Sequence, residues 1–338
     1  MVSKLILRII LLLAAILSIS DTITAEPVAA RNVSALTRDA DLIVVGRIKS
    51  VAEKDTEVVN VMGGEVPVHR MTAELETTRV LKGQADGSQV SFSFFISDVR
   101  SFKTIATSEF GIFFLRRAIS NGYTVVNPYY PSVVALTNAP ISTGEPLDKV
   151  TGELGHVLAT RSSSVDQRID AIDALDTILT PNSTLELERA THTQNLTLKL
   201  SASAALLRRN EISVLSAVAN IIMHESGTVS ESILWKITFA IENGVKDPRA
   251  IPTLTVLLDA KNIRTRRAAA GGLRHTGSVV AIPALKKALD DSDQEVRYSA
   301  VIGLAEITRQ YDWAPSIDLY KSEESRYLTH WRQWTSAR

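Results

Sequence analysis

The chain of 338 residues contains no cysteine. This absence excludes disulfide bonds, thiol catalysis and zinc sites built on cysteine. Neither sign of charge is in excess, because 37 basic residues balance 37 acidic ones, and general attraction to nucleic acid or an anionic membrane is not expected. Stability must come from hydrophobic cores, and a hydrophobic content of 45% is enough for two ordinary domains.

Recognisable catalytic motifs are also missing. The sequence has no phosphate-binding P-loop, no G-x-S-x-G elbow and no dinucleotide glycine pattern. The six histidines are scattered singly, and His224-Glu225 is the one His-Glu pair, whereas a metal site needs convergent ligands. We therefore expect no catalytic residue, no cofactor and no metal.

The N-terminal residues 1–25 have the pattern of a secretory signal peptide. Lys4 and Arg8 supply positive charge, and Ile9 to Leu17 form an apolar run. Ala25 ends a segment with the small residues of a signal-peptide cleavage site. That run of nine residues is short for a bilayer span, which needs about 20, although a retained anchor is the alternative. The pattern predicts export to the periplasm or the medium of a bacterium, without stable membrane insertion after cleavage.

Residues 30–140 are predicted to form a β-rich domain. Short β-branched and aromatic runs alternate with turn residues, and Asn121-Gly122 is the best hairpin turn. Six strands are predicted, enough for one small barrel or sandwich: Leu42 to Val51, Arg70 to Leu81, Gln89 to Ile96, Phe110 to Leu115, Tyr123 to Val126 and Val133 to Leu136.

Two short segments of this region resemble a known kind of β module. Ala40 to Ile48 (ADLIVVGRI) and Arg79 to Gly83 (RVLKG) resemble a β module of exported bacterial proteins of unknown function, itself similar to OB-like inhibitor barrels. Metalloproteinase inhibitors with such barrels chelate the protease metal through an N-terminal cysteine. This chain has none, so that mechanism does not carry over.

Residues 144–310 contain internal repeats. Ala250 to Leu254 recurs as Ala281 to Leu285, and Arg266 to Leu273 recurs as Arg297 to Leu304, both at an offset of 31. An apolar anchor extends the series to five units: Leu175, Leu206, Ile241, Leu273 and Leu304.

Each anchor closes a predicted helix that begins with a capping residue. Eleven residues before the anchors stand side chains that accept hydrogen bonds from the first turn of a helix: Ser164, Asn195, Ser230, Asn262 and Asp293. Small residues one and four positions before the anchors allow close helix packing. An apolar first helix precedes each capped helix, and Pro252 and Pro283 fit its first turn.

Paired helices at this period resemble HEAT repeats, especially the short repeats of the bilin lyase-like group. The resemblance implies an α+β fold class, in which a small β domain precedes an α-solenoid of about five helical hairpins. Residues 311–338 are predicted to add a capping helix.

Basic residues are the first candidates for partner binding. Arg264, Arg266, Arg267 and Arg274 form the densest basic patch of the sequence. Cations also recur four residues after the caps, as Arg168, Lys199, Arg266 and Arg297. In HEAT families such a cation usually bonds acidic or carbonyl groups of the adjacent repeat, and an anion-binding stripe is the alternative.

Aromatic residues near the C-terminus are the second candidates. Tyr327, Trp331 and Trp334 share one stripe of a helix predicted over about Glu323 to Thr335. The stripe suits a cap that closes the solenoid, or a contact in which Trp331 and Trp334 bind a partner.

These observations favour a non-enzymatic binding or scaffold protein that offers a concave solenoid surface to a protein partner. The alternative is an enzyme, or enzyme-associated factor, of the bilin lyase-like or hydroxylase-like HEAT groups. A third possibility is an inhibitor-like β module with the solenoid as a spacer.

Overall fold

A computed structural model describes most of the chain after the predicted signal peptide, which lies outside the described residues together with Asn121 of the predicted turn. The described ranges are 31–61, 64–98, 102–118, 122–140 and 143–336.

All six predicted strands are present in one sheet. Their bounds are β1 (Leu42–Val61), β2 (Gly64–Lys82), β3 (Gln89–Ile96), β4 (Phe110–Arg117), β5 (Tyr123–Val125) and β6 (Ser132–Val134). The first two are longer than predicted, because they continue as a hairpin past the residues that pair with β3.

The strand pairing closes into a ring. β1 pairs with both β2 and β4, β3 pairs with β2 and in parallel with β5, and β4 joins β5 and carries β6. This order is compatible with the partly open barrel of OB folds. The sheet is nevertheless no regular barrel, since β5 has only three residues and the β1–β2 hairpin overhangs the ring.

Both faces of the first part of β1, from Leu42 to Gly46, are buried. Leu42 and Val44 pack inside the sheet with aromatic residues such as Phe113, whereas Ile43 and Val45 pack against the helices. Side chains alternate between faces along a strand, so a strand covered on both sides has a continuous apolar run.

The helices begin with α1 (Val33–Asp39), a short helix that was not predicted. Five hairpins follow, each with a first and a second helix: α2 (Pro146–Ala159) and α3 (Val165–Leu175), α4 (Pro181–Thr191) and α5 (Leu196–Arg208), α6 (Leu215–Glu225) and α7 (Glu231–Gly244), α8 (Ile251–Leu257) and α9 (Ile263–His275), α10 (Ile282–Ala288) and α11 (Gln294–Thr308). We call them repeats 1 to 5. The final helix, α12 (Ile317–Ser336), has a kink at Glu323, where the predicted capping helix begins.

The predicted caps and anchors are confirmed. In all five second helices the capping side chain accepts a hydrogen bond from a backbone N–H of the first turn, and every anchor residue is fully buried. Successive second helices contact one another in chain order and form a continuous helical layer.

Polar contacts join the sheet to repeat 1. Arg79 on β2 donates hydrogen bonds to both carboxylate oxygens of Glu153 on α2, at 2.7 and 2.8 Å, and to two backbone carbonyls. Arg31 pairs with Asp170 on α3, and Val33 donates its backbone N–H to the Thr177 hydroxyl. The sheet and the first repeat therefore share one packed interface.

In the described part of the chain, no helix combines the length and the apolar character needed to cross a membrane.

Candidate binding groove

One face of α7 carries an exposed aromatic pair. Glu231, Trp235, Phe239 and Glu242 follow one another at helical spacing and line the same side of this helix. The Trp235 side chain is 51% exposed and Phe239 45%, and their rings stack with centroids 5.3 Å apart. Rings of this size usually lie mostly buried, so a stacked pair open to solvent is a candidate contact for a partner.

The pair lies in an open groove on the layer of second helices, between repeats 3, 4 and 5. The groove has a volume of about 790 Å³. Its lining comes from α7, from the start of α9 and from α11: Glu231, Trp235, Thr238, Phe239, Glu242, Lys261, Asn262, Ile263, Arg264, Arg267, Glu295 and Ser299.

The part of the lining at the start of α9, here called the rim, is cationic and partly apolar. Asn262 caps α9 and fixes the backbone of this rim. Lys261 and Arg264 are exposed, and their side chains make no ion pair or hydrogen bond to any residue that the structure describes. Ile263 between them is 48% exposed. The rim therefore offers two unneutralised charges beside an apolar contact.

Arg267, in the floor of the groove, is neutralised by repeat 5. Its guanidinium donates to both carboxylate oxygens of Asp293, at 2.8 and 2.7 Å, and pairs with Glu295 at 2.6 Å. The hydrogen bond from Arg267 lowers the pKa of the Asp293 carboxyl. Arg267 is thus a link between repeats as well as a lining residue.

Glu242 has lost part of its hydration without gaining a partner. Its side chain lies against Gly271 of α9, where a Cβ atom would come within 2.7 Å of the Glu242 Cγ. Within the described ranges the carboxylate accepts no hydrogen bond and forms no ion pair. Burial raises the pKa of the Glu242 carboxyl and the negative charge of Glu295 adds to this effect, whereas the positive charges of His275, Arg267 and Arg274 offset it only in part.

The remaining arginines of the predicted basic patch hold the solenoid together. Arg266 binds both carboxylate oxygens of Asp291, at 2.8 and 3.0 Å, and Arg274 binds both of Glu306, at 2.7 and 2.6 Å. Each contact joins repeat 4 to repeat 5. Of the four arginines, Arg264 and Arg267 lie in the groove.

The recurring cation bonds the adjacent structural unit, as the structural interpretation expects, at two of its four positions. Arg168, Arg266 and Arg297 each donate to two backbone carbonyls of the turn before their helix. Arg266 and Arg297 also pair with an acidic residue of the next structural unit. Lys199 instead lines a smaller pocket beside α6.

The two candidate tryptophans lie on α12 and pack onto repeat 5. Trp331 is fully buried in the solenoid core, and Trp334 is partly buried with its ring 5.5 Å from that of Trp331. Because its side chain is inside the core, Trp331 is not available to a partner as the sequence had suggested. These contacts close the end of the solenoid.

No group of three or more potential metal ligands occurs among the residues that the structure describes. His224 directs its Nδ1 atom to the Asn220 carbonyl at 2.9 Å, and the side chain of Glu225 lies outside the described residues.

Sequence reasoning missed Trp235 and Phe239, although a signal for them exists. Trp235 stands five residues after its cap, where repeat 4 has Arg267 and repeat 5 has Tyr298. These three side chains are exposed or partly exposed, so this position of the second helix is not a core position in the last three repeats. Arg267 is therefore the one sign in the aligned repeats that this position can be exposed, because repeat 1 has Ile169 there and repeat 2 has the fully buried Leu200.

Comparison with known families agrees with the helical repeats. Residues 227–305 match the family model described as HEAT repeats, a segment that contains the whole groove. The structure of human deoxyhypusine hydroxylase in complex with glycerol is similar at 16% identity, over 54% of this chain and 71% of that one, with a TM-score of 0.26, too low to support a functional argument. No curated protein matches the chain significantly in sequence. The helical part of this α+β chain is a HEAT-like solenoid.

Proposed function

We propose that the protein is a non-enzymatic binding protein, and that the groove between α7, α9 and α11 receives a segment of a protein partner. The stacked and exposed pair Trp235 and Phe239 is the observation that carries this proposal. Tryptophan is strongly enriched among the residues that dominate binding energy at interfaces, and solenoids bind partners along surfaces built from successive repeats.

The mixture of groups in the groove suits a peptide. Rings and Ile263 offer apolar contacts, Glu231 and Glu242 offer acceptors, and Arg264 offers a donor. A nucleic acid would require a surface dominated by positive charge. Here acidic and basic side chains both line the groove, so the groove matches a segment that itself carries both polar and apolar side chains.

The test is selection of a random dodecapeptide library on the full chain, followed by titration of the selected peptides. We expect Trp235→Ala and Phe239→Ala each to weaken binding by about 2 kcal/mol or more, as hot-spot residues do. Leu179→Ala and Val279→Ala are matched controls, because both side chains are more than 60% exposed and neither lines the groove. Equal losses in the groove variants and the controls would contradict the proposal.

We further propose that the mature protein acts after export. The charged, apolar and small-residue order of residues 1–25 supports this. Mass spectrometry of the protein from its own host is the test, and we expect a chain that begins near residue 26. An intact N-terminus would mean that the segment is a retained anchor.

A further inference from the structure

Resting on the proposed binding groove, we infer that its ligand is a peptide with a single basic residue, arginine or lysine. The basic side chain lies over Trp235 and Phe239, and the carboxylate of Glu242 is its ionic partner.

The arrangement of charge along α7 is the first argument. Glu231 and Glu242 stand at the two ends of the aromatic pair, and neither carboxylate pairs with any of the described residues. Arg267, the cation in the groove floor, already has two acidic partners. A ligand cation would therefore meet available acceptors on this wall.

The half-buried state of Glu242 is the second argument. A carboxylate that loses water without gaining a hydrogen bond is destabilising, and an incoming ammonium or guanidinium group removes that cost. Gly271 leaves the space in which the Glu242 side chain lies. Burial is also the main cause of the raised pKa of Glu242, which the charges of His275, Arg267 and Arg274 do not fully offset.

The exposed rings are the third argument. Cations bind over the faces of aromatic rings, best over tryptophan, and a planar guanidinium also stacks on them. The chain uses this contact elsewhere, since Arg47 lies 5.3 Å from the Phe110 ring centroid and Arg326 lies 5.6 Å from that of Trp313. Trp235 and Phe239 have no such cation among the described residues, and their exposed faces are open to one.

The cationic rim limits the ligand to one basic residue. Lys261 and Arg264 face the groove from α9 and would repel a run of positive charges. An acidic side chain elsewhere in the same peptide would instead pair with them. The groove is therefore bipolar, and it selects against polybasic segments.

The experiment uses the full chain labelled at the tryptophan indole nitrogens, with the Trp235 signal assigned by Trp235→Phe. The probes are acetyl-arginine amide, its neutral isostere acetyl-citrulline amide and acetyl-glutamate amide. We expect the arginine probe to shift the Trp235 signal with a Kd about tenfold lower than that of the citrulline probe. We expect Glu242→Gln to remove this preference and the control Glu65→Gln, an exposed residue of β2, to keep it.

A second variant separates position from charge. Gly271→Ala keeps the Glu242 carboxylate but displaces it, because the new Cβ atom takes its space. We expect this variant to lose the arginine preference as well.

The outcomes distinguish the two proposals. If selected peptides bind at Trp235 while the citrulline or glutamate probe binds as well as the arginine probe, the groove stands and the inference fails. If neither the probes nor the selected peptides act at Trp235, both fail.

Discussion

The buried ion pair between Arg79 and Glu153 is the clearest single-residue determinant of how the sheet meets the solenoid. The Glu153 side chain has no exposure and that of Arg79 only 9%, and two carbonyls accept hydrogen bonds from two of the three remaining guanidinium donors. Such a pair gains little over apolar residues of similar size, but removing one partner leaves a buried charge. Its contribution is therefore to specify the docking geometry.

We predict that Arg79→Met lowers the free energy of unfolding by about 3–5 kcal/mol, because it leaves the buried Glu153 carboxylate without its cation. The double variant Arg79→Met/Glu153→Leu should recover much of that loss. Arg38→Met is the control, since the Arg38–Asp39 pair is exposed to solvent and its removal should change the stability little. Urea unfolding measures all three, and a double variant no more stable than Arg79→Met would contradict the prediction, because it would mean that the unpaired Glu153 carboxylate carries no penalty.

His330 gives the cap a dependence on pH. Its ring stacks on Trp313 at 3.6 Å and lies 4.9 Å from Trp331, and its buried Nε2 atom has no partner among the described residues. Burial lowers the pKa of His330 below its usual value of about 6.5. The unfolded chain therefore takes up the proton first, and stability must fall as pH drops below about 6.5.

We predict faster hydrogen exchange in residues 311–336 at pH 5.5 than at pH 7.5, after correction for intrinsic rates, and a smaller difference in His330→Gln. His69 is an internal comparison with the opposite sign. Its hydrogen bond to Glu53 raises the pKa of His69, so that contribution is lost as pH rises. A pH effect in the cap that persists unchanged in His330→Gln would exclude this residue as its origin.

At the scale of the element, the capped helices were predictable because their signals are local. A cap such as Asn262 and an anchor such as Leu273 act within one helix, and both were read correctly from spacing alone. Three features were not predicted from the sequence. Helix α1 is only seven residues long, the overhang of the β1–β2 hairpin depends on where β3 ends, and the exposure of Trp235 depends on which helices cover α7.

Asp293 shows how the structure changes a prediction based on the cap alone. Its carboxylate accepts the backbone N–H groups of Glu295 and Val296 and also binds Arg267. We predict that Asp293→Ala costs more than the roughly 0.5–2 kcal/mol of a lost cap, because Arg267 also loses a partner. Asp293→Asn, which keeps the capping oxygen but not the charge, should lie between Asp293→Ala and the natural chain. Thermal unfolding at pH 7 gives the order. No loss in Asp293→Asn would mean that the ion pair contributes nothing, and equal losses in the two variants would mean that the capping oxygen contributes nothing.

At the scale of the whole molecule, the described residues form two helical cores that share one helix. The first core joins the sheet to repeats 1 and 2, and the second runs from repeat 2 to the cap. Helix α5 contributes to both, with Leu198 and Leu206 in the first and Leu200 and Leu207 in the second. A destabilising substitution beyond α5 should therefore increase local unfolding toward the C-terminus more than in the sheet.

Ala300 provides the test of this division. It is fully buried on α11, four residues before the anchor Leu304, so Ala300→Leu should overpack repeat 5 by about 1–3 kcal/mol. We predict faster hydrogen exchange from about residue 250 onward, with protection retained in β1 to β4 and in repeat 1. Arg79→Met should give the reverse distribution, because its contact lies in the first core. If Ala300→Leu instead increased hydrogen exchange in the sheet as much as in repeat 5, the chain would unfold as one cooperative unit. The boundary between the two cores at α5 would then not separate regions of different stability.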